Sequence, residues 1–211
     1  MFDLEIDQII ARLPKQDVSG KRVMIAIAGP PAAGKSTLAE LLVDRLNNER
    51  PGCAALVPMD GFHLDNDTLD ARGLRLRKGA PNTFDAEGFV ALVGKLTTAT
   101  DAVTYPTFDR SLDAAIPDAG TVKADTRIIV LEGNYLLLND APWSALHGFF
   151  DLTIFVRPDV AMLEKRLLAR WKHYGLDEAH AHAKALGNDI PNAHTVLENS
   201  IEADMVFGQP A

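Results

Sequence analysis

Cys53 is the only cysteine in the 211-residue chain, so no disulfide can form within it and a reducing compartment is expected. No apolar run approaches eighteen residues, which argues against a membrane-spanning helix and any membrane insertion. Basic residues are in deficit, with 21 Lys and Arg against 29 Asp and Glu for a net charge of −8. That balance argues against nucleic-acid or membrane-surface binding as the main activity. The stretch Met1-Phe2-Asp3-Leu4-Glu5 is acidic and lacks the apolar centre of a secretory signal, so a cytoplasmic protein is expected. No internal repeat stands out, and the length suits one domain spanning 1–211. A substrate-binding insertion is read around 61–125 and a lid around 164–192.

What the chain does carry is Gly29-Pro30-Pro31-Ala32-Ala33-Gly34-Lys35-Ser36-Thr37, placed directly after the apolar run Val23 to Ala28. This fits G-x-x-x-x-G-K-[ST] between a strand and a helix, the setting of a phosphate-binding loop. Its four fixed positions co-occur by chance in roughly 1% of chains this long. Triphosphate oxygens need many donors at once, and Gly29 and Gly34 let successive backbone N–H groups turn inward. Lys35 adds a point charge at the β- and γ-phosphates, and Ser36 supplies a hydroxyl for Mg²⁺. The following helix has Leu38, Leu41, Leu42 and Leu46 on one face, with its positive end against the anion.

A first helix is marked by Leu4, Ile6, Ile9, Ile10 and Leu13 and closed by Pro14 and the polar segment Lys15 to Lys21. Further apolar runs predict strands at Ala54 to Pro58, Arg127 to Glu132, Leu152 to Val156 and Asp204 to Phe207. Helices are expected at Ala86 to Leu96, from Pro158 through Trp171, and from Asp177 to Leu186, with a break at Asn188-Asp189-Ile190-Pro191-Asn192 and a further helix through Glu198. Asp65 to Phe84 reads as a partly irregular, solvent-facing element, and Tyr105 to Arg110 as a loop or edge broken by Pro106. Strands alternating with helices predict an α/β fold, a doubly wound parallel five-stranded sheet with helices on both faces and a helical lid.

Two acids end predicted strands, where such sheets bind their ligands. Asp60 suits a base or orienting group for an acceptor hydroxyl, and Glu132 suits Mg²⁺. The alternatives are a turn-forming Asp60-Gly61 pair and a cap on Gly133-Asn134. Arg166 and Arg170, four apart, share a helix face that either closes over phosphates or simply meets solvent. Arg72, Arg75, Arg77 and Lys78 are balanced between substrate-facing and solubilising roles. His180 and His182 fall on different helix faces and do not make a metal set.

Together these residues resemble the uridine kinase, pantothenate kinase and phosphoribulokinase group of P-loop kinases. The resemblance is carried by Gly29 to Thr37, Met59-Asp60-Gly61-Phe62-His63, Arg72-Gly73 to Phe84-Asp85, Tyr105-Pro106-Thr107-Phe108-Asp109 and Leu131-Glu132-Gly133-Asn134-Tyr135. It implies ATP and Mg²⁺, a catalytic Asp60, a metal-side Glu132 and lid arginines Arg166 and Arg170. It also implies substrate contacts from His63, Phe84, Tyr105, Asp109 and Arg110. Within the group, Arg72 to Asp85 and the later Gly187-Asn188-Asp189-Ile190-Pro191-Asn192 are similar to bacterial kinases labelled fructose-transport-associated or uridine kinase-like. Asn188 and Asn192 are candidate contacts to a polyhydroxy acceptor, although Asn beside Pro is also common turn chemistry.

Arg110 follows Phe108-Asp109 where nucleoside and phosphoribulose kinases commonly carry Phe or His, which argues against a nucleoside and suits an anionic substrate group. The expected activity is therefore transfer of the γ-phosphoryl group of ATP to a hydroxyl of a small metabolite, with a sugar such as fructose favoured over a nucleoside or pantothenate. A regulatory or transport-coupled ATPase is the alternative of another class. It is weakened because Asp70-Ala71-Arg72-Gly73 alone fits a switch pattern, with neither N-K-x-D nor Leu-Ser-Gly-Gly-Gln present. The expected partner is a small-molecule acceptor, and a homodimer is left open.

Overall fold

The computed structural model describes residues 2–14 and 21–208. Most of the polar segment expected to follow Pro14 therefore lies outside the described residues. The chain opens with α1 (Asp3–Arg12), β1 (Val23–Ala28), α2 (Lys35–Glu49) and β2 (Ala54–Pro58). A 3₁₀ turn (Met59–Phe62) leads to α3 (Asn66–Ala71), two more 3₁₀ turns (Arg75–Arg77 and Pro81–Thr83) and α4 (Ala86–Thr98). Next come β3 (Val103–Asp109), β4 (Ala114–Val122), β5 (Ile128–Gly133) and β6 (Leu152–Val156). The remainder is α5 (Val160–His173), α6 (Glu178–Lys184), a π-helical turn (Ala185–Asp189), α7 (Ile190–Asn199) and β7 (Met205–Phe207).

Five strands form one sheet in the order β2-β5-β1-β6-β7, and every pairing in it is parallel. β1 and β5 are buried at every position, which is why they read as unbroken apolar runs rather than alternating ones. Successive residues nevertheless serve opposite faces. Met24, Ala26, Ile129 and Leu131 pack with Phe89 of α4 and Trp143, whereas Ile25, Ile27 and Val130 pack with Ile9 of α1 and Leu38 and Leu42 of α2. Helices thus cover both faces, as expected of a doubly wound sheet. Leu41 departs from the expected stripe, being 40% exposed. At 100° per residue it lies beyond the edge of the face that Leu38, Leu42 and Leu46 bury.

Of the two readings of Tyr105 to Arg110, the edge holds: Val103–Asp109 is a strand of a two-stranded sheet, paired antiparallel with Ala114–Val122, which the sequence reading did not mark. Pro106 sits at the register shift between Tyr105 and Thr107, where its missing N–H leaves no ladder bond unmade. One further expectation is corrected. The expected break at Asn188 to Asn192 is absent. Pro191 stands in the first turn of α7, where a missing donor costs nothing, and the π-helical turn before it lets the helical path run on.

The register fixes where the chemistry goes. Ile27 and Pro58 flank Glu132 on neighbouring strands, so the loop after β1, the turn after β2 and the end of β5 share one edge of the sheet. That edge holds the crossover reversal of β1, whose α2 leads to β2 on one side while β6 lies on the other.

Candidate active site

The loop between β1 and α2 depends on backbone that few residues adopt. Ala32 has φ 63° and Gly34 φ 102°, so the chain curls before α2 begins at Lys35. The Lys35 side chain is buried and folds back over the loop. Its Nζ donates to the Pro30 carbonyl at 2.9 Å and to Asn134 Oδ1 at 2.8 Å, and lies 3.8 Å from Glu132 Oε1. Burial pulls the Lys35 ammonium below its ordinary value, against the opposing pull of Glu132. Burial likewise pushes the Glu132 carboxyl up, with Lys35 and a hydrogen bond to Ser36 holding it back.

Asp60 stands in the 3₁₀ turn after β2. Its Oδ2 accepts from Arg110 Nη2 at 2.7 Å, and its charge acts on both Lys35 and Glu132. Gly61 is needed for close approach, since any Cβ there would overlap the Pro106 carbonyl of β3. The Asp-Gly pair is thus more than turn chemistry. Its glycine lets the β3–β4 ribbon lie against the turn and brings Arg110 onto Asp60.

Arg166, on α5, donates to the carbonyls of Ala32 and Ala33 at 3.2 Å each, and Arg170 lies one turn further along the same face. Opposite them, Lys78 Nζ is held by Asn66 Oδ1 and Asp113 Oδ1, each at 2.8 Å. Asn188 Nδ2 donates to the Lys78 carbonyl at 2.9 Å. Asn192 is buried and its Oδ1 has no partner.

Lys35, Asp60, Lys78, Arg110, Glu132, Arg166, Arg170 and Asn192 border one cavity of about 650 Å³. Among its described lining side chains seven are Lys or Arg and four are Asp or Glu, an excess of positive charge in a chain of net −8. Such local inversion suits a polyanion. The cavity takes in Pro31, Ala32, Gly34, Lys35, Ser36 and Thr37 of the loop, then Asp60, His63, Phe84 and Arg110, and finally Glu132, Arg166, Arg170 and Asn192.

Gly29, Pro30, Ala33, Tyr105, Asp109 and Asn188 do not border it. The Tyr105 hydroxyl donates to the Leu56 carbonyl at 2.8 Å, which ties β3 to β2 and points the ring into the core. Asp109 accepts from Ser111 N at 2.8 Å and shapes the turn that presents Arg110. Both side chains make scaffold contacts here. Of the evenly weighed cations, Arg75 and Lys78 face the cavity, whereas Arg77 reaches the Gly187 carbonyl. The sequence reading missed Asn134, Trp171 and Asp189. Asn134 had a signal, two residues past Glu132. The Trp171 Nε1 bond to Asp189 Oδ2 at 2.6 Å joins residues 18 apart and had none.

A glycine-bearing phosphate loop on a parallel sheet, with acids at two neighbouring strand ends and arginines over the loop, defines a P-loop kinase. The model of the phosphoribulokinase / uridine kinase family matches residues 24–177, and the chain belongs to that family. "Uncharacterized protein YggC" of Escherichia coli (strain K12) is 37% identical over 193 residues, covering 88% of this chain and 77% of that one. "Putative uridine kinase C227.14" of Schizosaccharomyces pombe is 36% identical over 201 residues, covering 90% and 84%. A crystal structure from Silicibacter sp. TM1040, described as a "putative fructose transport system kinase", is 40% identical with a TM-score of 0.90, covering 98% of both chains.

Proposed function

We propose that this protein is an ATP-dependent kinase that transfers the γ-phosphoryl group to a hydroxyl of a small metabolite, a sugar or sugar-like polyol such as fructose. The observation that carries this reading is the placement of Asp60 on the same cavity as Lys35, Glu132 and the α5 arginines. A hydrolase needs no carboxylate aimed at an organic acceptor, whereas a kinase gains from one that receives the hydroxyl proton. The unpartnered Asn192 Oδ1 adds a buried acceptor that a ligand hydroxyl would satisfy. Fructose is the first acceptor to try because of the name that the Silicibacter relative bears.

In this scheme the loop N–H groups and Lys35 hold the β- and γ-phosphates, and Asp60 orients the acceptor hydroxyl for in-line attack. Arg166 and Arg170 balance charge on the equatorial oxygens of the transferred group. Ser36 and Glu132, a hydroxyl and a carboxylate hydrogen-bonded to each other, offer the hard oxygen donors that Mg²⁺ takes. Bound there, Mg²⁺ would neutralise charge on the β- and γ-phosphate oxygens. The arginines over the loop also limit water at the phosphates and so favour transfer over hydrolysis.

The test is ADP release from Mg-ATP, first without an acceptor and then with fructose, other sugars, nucleosides and pantothenate singly. Stimulation by a sugar is the expected result. Steady release that no acceptor changes would overturn the reading in favour of an ATPase acting with a protein partner. Arg110→Ala is expected to raise the acceptor KM about tenfold, with the ATP KM unchanged, because its charge-assisted bond holds Asp60 at the acceptor end. An equal rise in both constants would move Arg110 to the nucleotide.

A further inference from the structure

Four described carboxylates border the cavity, and three of them are accounted for. Asp60 and Glu132 serve the proposed reaction, and Asp113 holds Lys78. The fourth, Asp189, ends the π-helical turn and has no such task. Burial pushes its carboxyl up, because a carboxylate taken out of water loses solvation. A negative charge on the wall of a polyanion site also repels the ligand. A group that is unfavourable on both counts needs a compensating role.

The contacts of Asp189 supply one. Its Oδ2 accepts from Trp171 Nε1 at 2.6 Å, and the charges of Arg170 and Lys184 favour the carboxylate against the effect of burial. Trp171 follows Arg170 on α5, and Lys184 Nζ of α6 lies 5.3 Å from the centre of a Trp171 ring. Asp189 therefore ties α5 at one residue and attracts the side chain of the residue before it. The two α5 arginines differ in how they are held. Arg166 is fixed by two loop carbonyls, whereas no hydrogen bond holds the Arg170 guanidinium among the described residues. Its charge acts on Lys35 as well as on Asp189, so it stands within reach of both the phosphate lysine and the carboxylate.

The residue before Asp189 grips the opposite wall. Asn188 Nδ2 donates to the Lys78 carbonyl at 2.9 Å, so one π-helical turn is anchored to the acceptor turn by Asn188 and to the arginine helix by Asp189. Such turns are rare and recur at functional sites. Asn188 fixes where the turn sits, and Asp189 fixes α5 against it.

We infer that Asp189 is a positioning residue, which through its bond to Trp171 and the attraction of its charge holds the Arg170 guanidinium towards the γ-phosphate. This rests on the role given to Arg170 above and adds the group that sets it. Asp189 acts through Arg170 and touches no reacting atom.

The test is calorimetric binding of Mg-ADP and of non-hydrolysable Mg-AMP-PNP, which differ by the γ-phosphate, to the wild type, Asp189→Asn, Arg170→Ala and the double variant. Asparagine keeps an oxygen for the indole N–H and removes the charge. Loss of a negative charge by itself tightens both nucleotides, whereas loss of Arg170 from its place weakens AMP-PNP alone, so the ratio of the two Kd values separates the effects. The AMP-PNP to ADP ratio is expected to rise about tenfold in each single variant, as a lost charge-assisted contact would give, and no further in the double variant. Trp171→Phe, which keeps the charge and removes the N–H, is expected to raise it about threefold. An unchanged ratio in Asp189→Asn, or single effects that multiply in the double variant, overturns the inference. An unchanged ratio in Arg170→Ala overturns the role of Arg170 itself, and the inference falls with it.

ADP release with Mg-ATP and D-fructose gives a second readout. Asp189→Asn is expected to lower kcat about tenfold and leave the fructose KM unchanged, because Asn188 still holds the Lys78 turn. A rise in KM as large as the fall in kcat is the mark of general loosening and overturns the inference. ADP release that no acceptor changes removes the kinase reading, while the binding ratio still decides whether Asp189 sets Arg170.

Discussion

Asp60→Asn is expected to lower acceptor-dependent turnover by a factor on the order of 10² or more while leaving ATP binding near normal. The substitution keeps the shape of the side chain and one oxygen for Arg110, which now donates to Asp60 Oδ2 at 2.7 Å. The ribbon that carries Arg110 is independently seated by the close approach of Pro106 to Gly61 and by the Tyr105 bond to Leu56. The acceptor end should therefore keep its form, and the loss would isolate the charge and the proton-accepting capacity of the carboxylate. Titration calorimetry with ATP separates binding from turnover, and initial rates at saturating acceptor report kcat. Turnover equal to the wild type would remove Asp60 from the mechanism.

How much of this arrangement the sequence discloses depends on the range over which each feature is encoded. The loop from Gly29 to Thr37 is contiguous, and its glycines, lysine and hydroxyl are readable because their geometry is local. Asp60 and Glu132 are readable for a different reason. Each ends an apolar run, and a parallel sheet sends all such ends to one edge, so two separate local signals meet without the pairing being known. The register later brings Glu132 between Ile27 and Pro58.

Features that depend on a partner distant in the chain were not legible. Ala114–Val122 contains proline, glycine and aspartate and leaves several side chains exposed, so neither β-branched content nor clean alternation marked it, and only pairing with β3 makes it a strand. The Tyr105 hydroxyl bonds Leu56, 49 residues away, a pairing with no local signal. Among Arg72, Arg75, Arg77 and Lys78 composition is uniform, and only the path of the 3₁₀ turn decides which of them face the cavity. The helical run through Asn188 to Asn192 defeated a sound local rule, since Pro191 breaks a helix only where its missing N–H would have been bonded.

Lys35→Ala is expected to abolish tight ATP binding and also to destabilise the ligand-free protein, because Lys35 is the cation nearest to a buried carboxylate. Glu132 is 7% exposed, and with its ion pair at 3.8 Å removed it keeps only the Ser36 hydroxyl as a close donor. Breaking one side of a buried pair costs about 3–5 kcal/mol, and a chain of this size loses roughly 2–4 °C of Tm per kcal/mol. Thermal unfolding should register the deficit. Its pH dependence carries a definite sign. Burial already raises the Glu132 carboxyl, and removing Lys35, which opposes that rise, raises it further. Both folded proteins hold the Glu132 proton to higher pH than the unfolded chain, the variant further than the wild type, so the deficit relative to the wild type grows as pH rises from the wild type's raised value towards the variant's and shrinks as pH falls back. Adding Glu132→Gln to Lys35→Ala removes the stranded charge and should restore most of the stability without restoring ATP binding. Equal destabilisation in the single and double variants would show that Lys35 supports the loop through its bonds to Pro30 and Asn134 rather than through the charge on Glu132.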